Sequence, residues 1–138
     1  MFLTSDELIS IVDPNLVSKL TADNSSIVNT IITESIETMR SYLSKYYDAD
    51  AIFDKEDTAR NINVLKKLKD IVVYEIYTRN PRAMNAVAEK KYNEAINWLE
   101  KLNEGKFSDK TLPVPAPEVP SVQTSIRTGS NYKYQSNF

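Results

Sequence analysis

Cysteine and histidine are both absent from this 138-residue chain. Without cysteine there can be no disulfide, no thiolate nucleophile and no cysteine ligand for a metal. Without histidine the chain lacks the commonest general base and the commonest transition-metal ligand. Only two glycines occur, Gly105 and Gly129, which are too few for a glycine-rich phosphate loop. We therefore predict no catalytic residues, no metal site and no cofactor, and we expect that the protein is not an enzyme.

Charge and long apolar runs are also scarce. The net charge of −2 is too small to indicate binding to nucleic acid or membrane through the overall field. Residues 1–7 have no basic region followed by an apolar run, so we expect no signal peptide. No apolar stretch approaches the ~20 residues that span a bilayer. We expect one soluble domain, made in the cytoplasm, with no membrane partner.

The composition changes sharply near Phe107. Helical patterns with short breaks precede it, whereas Pro113, Pro115, Pro117 and Pro120 and then a polar stretch follow it. Alternating prolines hold the backbone extended, because each fixes its own φ and moves the preceding residue out of the α region. We therefore divide the chain into a helical body, residues 1–107, and an extended C-terminal arm, residues 108–138.

Two short helices are predicted at the start of the body. Thr4 and Glu7 have the spacing of a capping box, with Leu3 and Leu8 placed as a hydrophobic staple, for a helix over 5–12. The pair 13–14, Asp followed by Pro, is typical of an N-cap and the first helical position, and predicts a second helix ending near residue 20.

Three long helices follow from apolar residues at three- and four-residue spacing. The first is predicted over 26–47, capped by Ser25 or Ser26. Residues 48–57 are interpreted as a loop, and Asp57 or Thr58 as the cap of the next helix. Residues 80–81, Asn and Pro, are predicted to end that helix and to start the last one, which Gly105 terminates as a left-handed cap. The fold class is therefore all-α: a small bundle of three long helices with short N-terminal helices.

Two carboxylate pairs could bind a hard cation. Glu34 and Glu37 are three residues apart on a helix, and Asp54 and Asp57 are three apart in the predicted loop. Neither pair has the ligand number of a calcium loop or a glycine at its turn. Solvated charges and helix caps explain both pairs better.

A basic group on the predicted helix that Asp57 or Thr58 caps is the candidate for contact with DNA. Lys66, Lys67 and Lys69 could neutralise phosphates. A helix-turn-helix reader would instead use the short helices at 5–20, but Lys19 is their only basic residue. A nucleic-acid-binding regulator that uses the basic helix is thus an alternative function, and sequence-specific binding is disfavoured.

Aromatic side chains are frequent on the long helices. Aromatic residues at helical spacing usually pack in a core or an interface rather than around a ligand. We predict that Tyr74, Tyr92 and Trp98 lie in the core or in a contact between subunits.

The arm contains a strand pattern that has no partner in the chain. Within 121–128, alternate residues are β-branched, and such a segment can pair only with another chain by strand addition. A disordered tail is equally compatible with the composition, although the apolar content exceeds what a solvating tail needs. The candidate contact residues of the arm are Val122, Thr124, Ile126, Tyr132, Tyr134 and Phe138.

Several motifs resemble one known family in order and spacing. The opening Phe2-Leu3-Thr4-Ser5-Asp6-Glu7-Leu8 is similar to the start of the Mu-type phage head–tail connector proteins. The later motifs are Tyr42-Leu43-Ser44-Lys45-Tyr46-Tyr47, Lys69-Asp70-Ile71-Val72-Val73-Tyr74, Tyr92-Asn93-Glu94-Ala95-Ile96-Asn97-Trp98-Leu99 and Gly105-Lys106. The resemblance covers residues 2–107. It departs from the family at 60–65, where prolines are usual, and in the length of the arm.

The resemblance implies a structural role in the virion at the head–tail junction. It implies a homo-oligomeric ring that docks on the portal protein, contacts a tail or further adaptor protein, and admits packaged DNA to its lumen. We expect the arm to bind neighbouring subunits or layers. A remaining alternative is a monomeric helical interaction module whose proline-rich tail is the ligand of a groove-type domain.

Overall fold

A computed structural model describes residues 1–21 and 24–117, and within these ranges the regular elements are all helical. The α-helices are α1 (Pro14–Thr21), α2 (Ser25–Leu43), α3 (Ala49–Phe53), α4 (Ile62–Thr78) and α5 (Ala86–Asn103), and short 3₁₀ helices occupy Ser5–Ser10, Asp57–Ala59 and Pro81–Ala83. The predicted all-α fold is confirmed, and so are its three long helices, α2, α4 and α5.

The three long helices pack against one another in pairs. Ile32 and Met39 from α2, Leu68 from α4 and Leu99 from α5 have no exposed surface, and these side chains form the centre of the core. Burying each such side chain stabilises the fold by roughly 1.5–3 kcal/mol relative to leaving it in water. The helix periodicity seen in the sequence therefore reports this core.

The N-terminal signals are confirmed, although the helix they begin is of the 3₁₀ type. The Thr4 N–H donates to Oε2 of Glu7 at 3.0 Å, as a capping box requires. Leu3 and Leu8 on either side of the cap are 0% and 1% exposed. The helix ends at Ser10. At the next start, Asp13 accepts a hydrogen bond from the Asn15 N–H at 2.9 Å, just before Pro14.

Helix α2 is shorter than predicted, and its cap is a different residue. The Asn24 side chain accepts from the Ser26 N–H at 3.0 Å, so the prediction of Ser25 or Ser26 as the cap is wrong. The helix ends at Leu43 rather than at residue 47. The chain turns there, and this turn carries the Tyr47 side chain into the core, where it is 6% exposed.

The predicted loop 48–57 contains a helix, α3, which is a correction. The Asp48 carboxylate accepts from the Ala51 N–H at 3.0 Å and caps the helix. Ile52 and Phe53 are 2% and 7% exposed, and the Phe53 ring meets Phe2 edge-on at a centroid distance of 5.1 Å. Five residues are too few for a helical period to be visible in the sequence.

Helix α4 begins later than predicted. Its N-cap is Asn61, whose side chain accepts from the Val64 N–H at 3.1 Å, and not Asp57 or Thr58. Residues 57–59 form a separate 3₁₀ turn, in which Asp57 has a φ of 49°. That conformation is uncommon for any residue except glycine, although aspartate tolerates it better than most.

Helix α5 also begins later, since a 3₁₀ turn at Pro81–Ala83 intervenes. The Asn85 side chain caps α5 by accepting from the Ala88 N–H at 2.8 Å. The predicted stop at Gly105 is confirmed, with a φ of 73°. The Lys106 N–H bonds to the Lys101 carbonyl at 3.0 Å and the Gly105 N–H to Leu102 at 3.2 Å, which is a Schellman motif.

Candidate functional site

The first residues after the body are held on it by a buried side chain and three hydrogen bonds. We call Asp109–Pro113 the arm root. Leu112 is 4% exposed and belongs to the hydrophobic core. The carbonyl of Pro113 accepts from the Asp48 N–H at 2.9 Å. Asp48, the N-cap residue of α3, thereby fixes the direction in which the arm leaves the body.

The other two hydrogen bonds of the arm root involve side chains of the body. The Tyr47 hydroxyl accepts from the Asp109 N–H at 3.0 Å. The Asn61 amide donates to the Thr111 hydroxyl at 2.8 Å, while its carbonyl oxygen caps α4. The arm, whose start was predicted at residue 108, therefore lies on the body as far as Pro113.

A local turn positions Leu112 for burial. The Asp109 carboxylate accepts from the Thr111 N–H at 2.9 Å and from the Thr111 hydroxyl at 2.5 Å. Aspartate commonly bonds to the backbone two residues later in such turns. The turn reverses the chain after α5 and turns Leu112 back toward the core.

The arm becomes exposed immediately after its root. Val114 is 69% exposed, although it borders a cleft with Tyr46 and Phe107, which are 44% and 39% exposed. We call these three residues the arm-root patch. Large apolar side chains grouped at a surface are typical of interaction sites, whereas single ones are ordinary.

The N-terminal residues are held by the same part of the body. Arg60 donates to the Phe2 carbonyl at 2.8 Å and forms an ion pair with Glu7, with Nη2 2.8 Å from Oε1. The hydrogen bond from Arg60 lowers the pKa of Glu7 to about 2. We call residues 44–61 the bracing segment, because they hold both the N-terminal segment and the arm root.

The predicted aromatic residues lie along the α4–α5 contact. The rings of Tyr74 and Tyr92 stack with a centroid distance of 3.9 Å and an interplanar angle of 19°. Burial raises the pKa of the Tyr92 hydroxyl, and the neighbouring Glu75 carboxylate raises it further. Trp98 is half-buried and packs against the core. Whether a second subunit also contacts these residues stays a prediction.

The three predicted DNA-facing lysines do not share one face of α4. Lys66 is exposed, whereas Lys67 and Lys69 are partly buried. Lys66 and Lys69 are three residues apart and lie on adjacent parts of the helix surface, whereas Lys67 is rotated by about 100° from Lys66. Lys66 and Lys67 lie near the half-buried carboxyl of Asp70.

One of the carboxylate pairs of the sequence, Glu34 and Glu37, has a member in an ion pair. Glu37 forms an ion pair with Arg40 at 3.2 Å, and Arg40 also pairs with Asp50. Residues 1–21 and 24–117 contain no group of three acidic residues that could hold a metal ion. Over the same ranges, no helix combines the length and the hydropathy needed to cross a bilayer.

Six predicted contact residues of the arm lie outside the described residues. They are Val122, Thr124, Ile126, Tyr132, Tyr134 and Phe138. The arm root and the arm-root patch were not identified from the sequence. Leu112, an isolated leucine beside the first proline of the arm, was the available signal.

Comparison with known protein families identifies the family of this chain. Neither the curated proteins nor the solved structures that were searched returned a match. A family model described as "Bacteriophage Mu, Gp36" matches residues 2–126. The matched region includes the body, the arm root and the arm as far as Ile126, which is most of the chain. The chain therefore belongs to the bacteriophage Mu Gp36 family and is a phage protein.

Proposed function

We propose that this protein is a structural head–tail connector of a tailed phage, which docks on the portal as a ring and joins the head to the tail. The single observation that carries the proposal is the anchored arm. Leu112 and the Pro113 carbonyl are fixed on the body, and Val114, one residue later, is 69% exposed. A peptide that leaves a rigid body in a fixed direction is suited to binding a neighbouring protein.

The distribution of exposed apolar side chains supports a ring. A ring of identical subunits needs two different contact faces on each subunit, because its contacts are heterologous. The arm-root patch lies at the C-terminal end of α5. Val87, which is 63% exposed, lies in the first turn of the same helix. About 15–18 residues separate the two along α5, or about 25 Å at 1.5 Å per residue.

The proposed ring would act by binding alone. It would contact the portal protein on one side and a tail or further adaptor protein on the other, and packaged DNA would pass through its lumen. The protein would then be located at the head–tail junction of the virion. The family match to phage proteins is consistent with that location.

The proposal is tested by a phage that carries a nonsense mutation in this gene. Lysates should contain DNA-filled heads and complete tails that are not joined, as counted by electron microscopy. Purified protein added to the lysate should restore joined particles, and its ring should appear between portal and tail. Normal joined particles without the protein would overturn the proposal, and so would a block before DNA packaging.

The arm is tested separately by deleting residues 118–138. The matched control replaces these residues by a Gly/Ser segment of equal length, which keeps the length and removes the side chains. Both variants should fold and should give leaky or unjoined particles. Hydrogen exchange of 121–138 should be fast in the free protein and slow in particles. Stable infectious particles from both variants would make the arm dispensable.

A further inference from the structure

The N-terminal segment, residues 1–8, and α3 lie together on one long helix. The first 3₁₀ helix and α3 both pack against α2. They also contact each other, since the Phe2 ring meets the Phe53 ring at a centroid distance of 5.1 Å. These two side chains are only 2% and 7% exposed. The two pieces therefore form one layer on the bundle, and the loss of either would expose apolar surface of the other.

Arg60 of the bracing segment adds polar contacts to the N-terminal segment. Its guanidinium donates to the Phe2 carbonyl at 2.8 Å, and its Nη2 lies 2.8 Å from Oε1 of Glu7. The side chains of Arg60 and Glu7 are 13% and 30% exposed, so water screens this ion pair less than it screens a pair at the surface. The N-terminal segment is thus held by packing on α3 and by charge on Arg60.

The arm root is attached at the same two places, the start of α3 and the residue beside Arg60. The Pro113 carbonyl accepts at 2.9 Å from the N–H of Asp48, whose carboxylate caps α3. The Thr111 hydroxyl accepts at 2.8 Å from the amide of Asn61, whose carbonyl oxygen caps α4. Each of these two residues therefore joins the arm root to the first turn of a helix.

Two short routes consequently link the arm root to the N-terminal segment. One route runs from Pro113 through α3, which has five residues, to the contact of Phe53 with Phe2. The other runs from Asn61 through one peptide bond to Arg60, which binds the N-terminal segment. Contiguous packed side chains and hydrogen bonds of this kind can carry energetic coupling between separate parts of a protein.

The three long helices have a core centre of their own. Ile32 and Met39 of α2, Leu68 of α4 and Leu99 of α5 are 0% exposed. The layer on α2 consists instead of short elements and of hydrogen bonds between distant residues. Proteins open locally in cooperative units, and the free energy of opening is lower for such units than for the packed helices of a core.

We propose that the N-terminal segment, the bracing segment and the arm root open and close on the three-helix bundle as one cooperative unit. In the closed state the exposed arm begins at Val114, and in the open state it begins near residue 108. The five released residues, 109–113, lengthen the extended arm by about 17 Å. The N-terminal attachment thereby controls how far the arm reaches. The inference concerns the free protein and does not depend on the proposed ring.

Thiol labelling of the full-length chain measures the opening, because the chain has no cysteine of its own. Leu112→Cys reports on the arm root, Leu3→Cys on the N-terminal segment and Val72→Cys on the bundle, and all three positions are buried. Iodoacetamide reacts with each thiol only when that thiol is exposed. Leu112→Cys and Leu3→Cys should react at rates within about threefold of each other, and both about tenfold or more faster than Val72→Cys.

Glu7→Gln in the Leu112→Cys chain tests the link between the two ends. Loss of the pair with Arg60 should raise the labelling rate at residue 112 about tenfold, since an opening that includes this pair then becomes more frequent. The matched control is Glu104→Gln, which removes a pair with the exposed Lys106 and lies much closer to residue 112 in the sequence. It should change the rate by less than about twofold.

Hydrogen exchange of the unsubstituted protein gives the second measurement. The amides of Glu7, Asp48 and Asp109 each donate a hydrogen bond within the proposed unit, so they should share one free energy of opening, lower than that of the Leu99 amide. A labelling rate that Glu7→Gln leaves unchanged would show that the arm root opens alone. Equal rates at residues 72 and 112 would show that it opens only by global unfolding. Either result overturns the inference, and heads joined normally to tails would leave the proposed function standing.

Discussion

The two ends of the described chain, residues 1–12 and 108–117, are attached to the helical bundle in similar ways but to different extents. Phe2 and Leu3 are both buried at the N-terminal end, whereas only Leu112 is buried at the other. Both ends are bound through the bracing segment, residues 44–61. Arg60 of this segment binds the N-terminal end, and Tyr47, Asp48 and Asn61 bind the C-terminal end.

The comparison shows how a segment without its own periodic pattern becomes part of a fold. One or two large side chains enter the core, and polar groups of the bracing segment form hydrogen bonds with the adjacent backbone or turn. The N-terminal segment is integral by this measure. The arm is integral for the five residues of the arm root, and residues 114–117 after it are exposed. Four predictions test this difference, in order of decreasing effect.

Phe2→Ala should have the largest effect. Phe2 is 2% exposed and packs edge-on against Phe53, so its loss leaves a cavity between the N-terminal segment and α3. We expect the free energy of unfolding to fall by about 3–4 kcal/mol in chemical denaturation. The matched control is Phe107→Ala, at a side chain that is 39% exposed, with a loss below about 1 kcal/mol. Equal losses would remove the distinction between the two ends.

Leu112→Ala should cost about 2–3 kcal/mol, since a buried leucine is truncated. Val114→Ala, two residues later and 69% exposed, should cost less than about 0.5 kcal/mol. A chain of residues 1–107 should still be helical and melt cooperatively, but it should be less stable than residues 1–117 by a similar amount. Identical denaturation midpoints for the two lengths would show that the arm root contributes nothing to the fold.

The Arg60–Glu7 pair should make the N-terminal attachment sensitive to acid. The pKa of Glu7 is about 2 in the folded protein and about 4.5 as its ordinary value. Because the folded value is the lower one, the pair's contribution is complete above about pH 4.5 and is lost as the pH falls toward 2. Glu7→Gln should lower the free energy of unfolding by about 2 kcal/mol at pH 7, since charge-assisted hydrogen bonds are lost.

The difference between wild type and Glu7→Gln should therefore shrink as the pH is lowered from 5 to 2.5. Denaturation curves at several pH values measure it. The control is Glu104→Gln, since Glu104 pairs with the exposed Lys106, and this variant should differ little from wild type at any pH. A constant difference for Glu7→Gln across the range would mean that Glu7 acts through packing rather than charge.

The features that the sequence predicted correctly are local. The capping box at Thr4 and Glu7, the start at Pro14 and the stop at Gly105 each depend on residues within one or two turns of a helix. The long apolar faces of α2, α4 and α5 repeat often enough for their period to be recognised. These signals determine which segments are helical, and they were sufficient for the fold class.

The features that were missed depend on contacts between distant parts of the chain. Helix α3 is stabilised by Phe53 packing on Phe2, 51 positions earlier, so its five residues carry no period of their own. Leu112 is buried beside two contacts with distant residues: the Asp109 N–H donates to the Tyr47 hydroxyl, and the Asn61 amide donates to the Thr111 hydroxyl.

Gly105→Ala should have the smallest effect of the four, and it tests the point where the body turns into the arm. Gly105 has a φ of 73°, which costs an alanine about 1 kcal/mol. An added Cβ would also lie 3.3 Å from the Tyr46 hydroxyl, which is at the end of an exposed side chain and can move. The expected loss is therefore about 1 kcal/mol in chemical denaturation. Gly105→Asn should lose less, because asparagine tolerates the left-handed region better than alanine. If both variants lost more than Leu112→Ala, the Schellman turn rather than Leu112 would be the main attachment of the arm root.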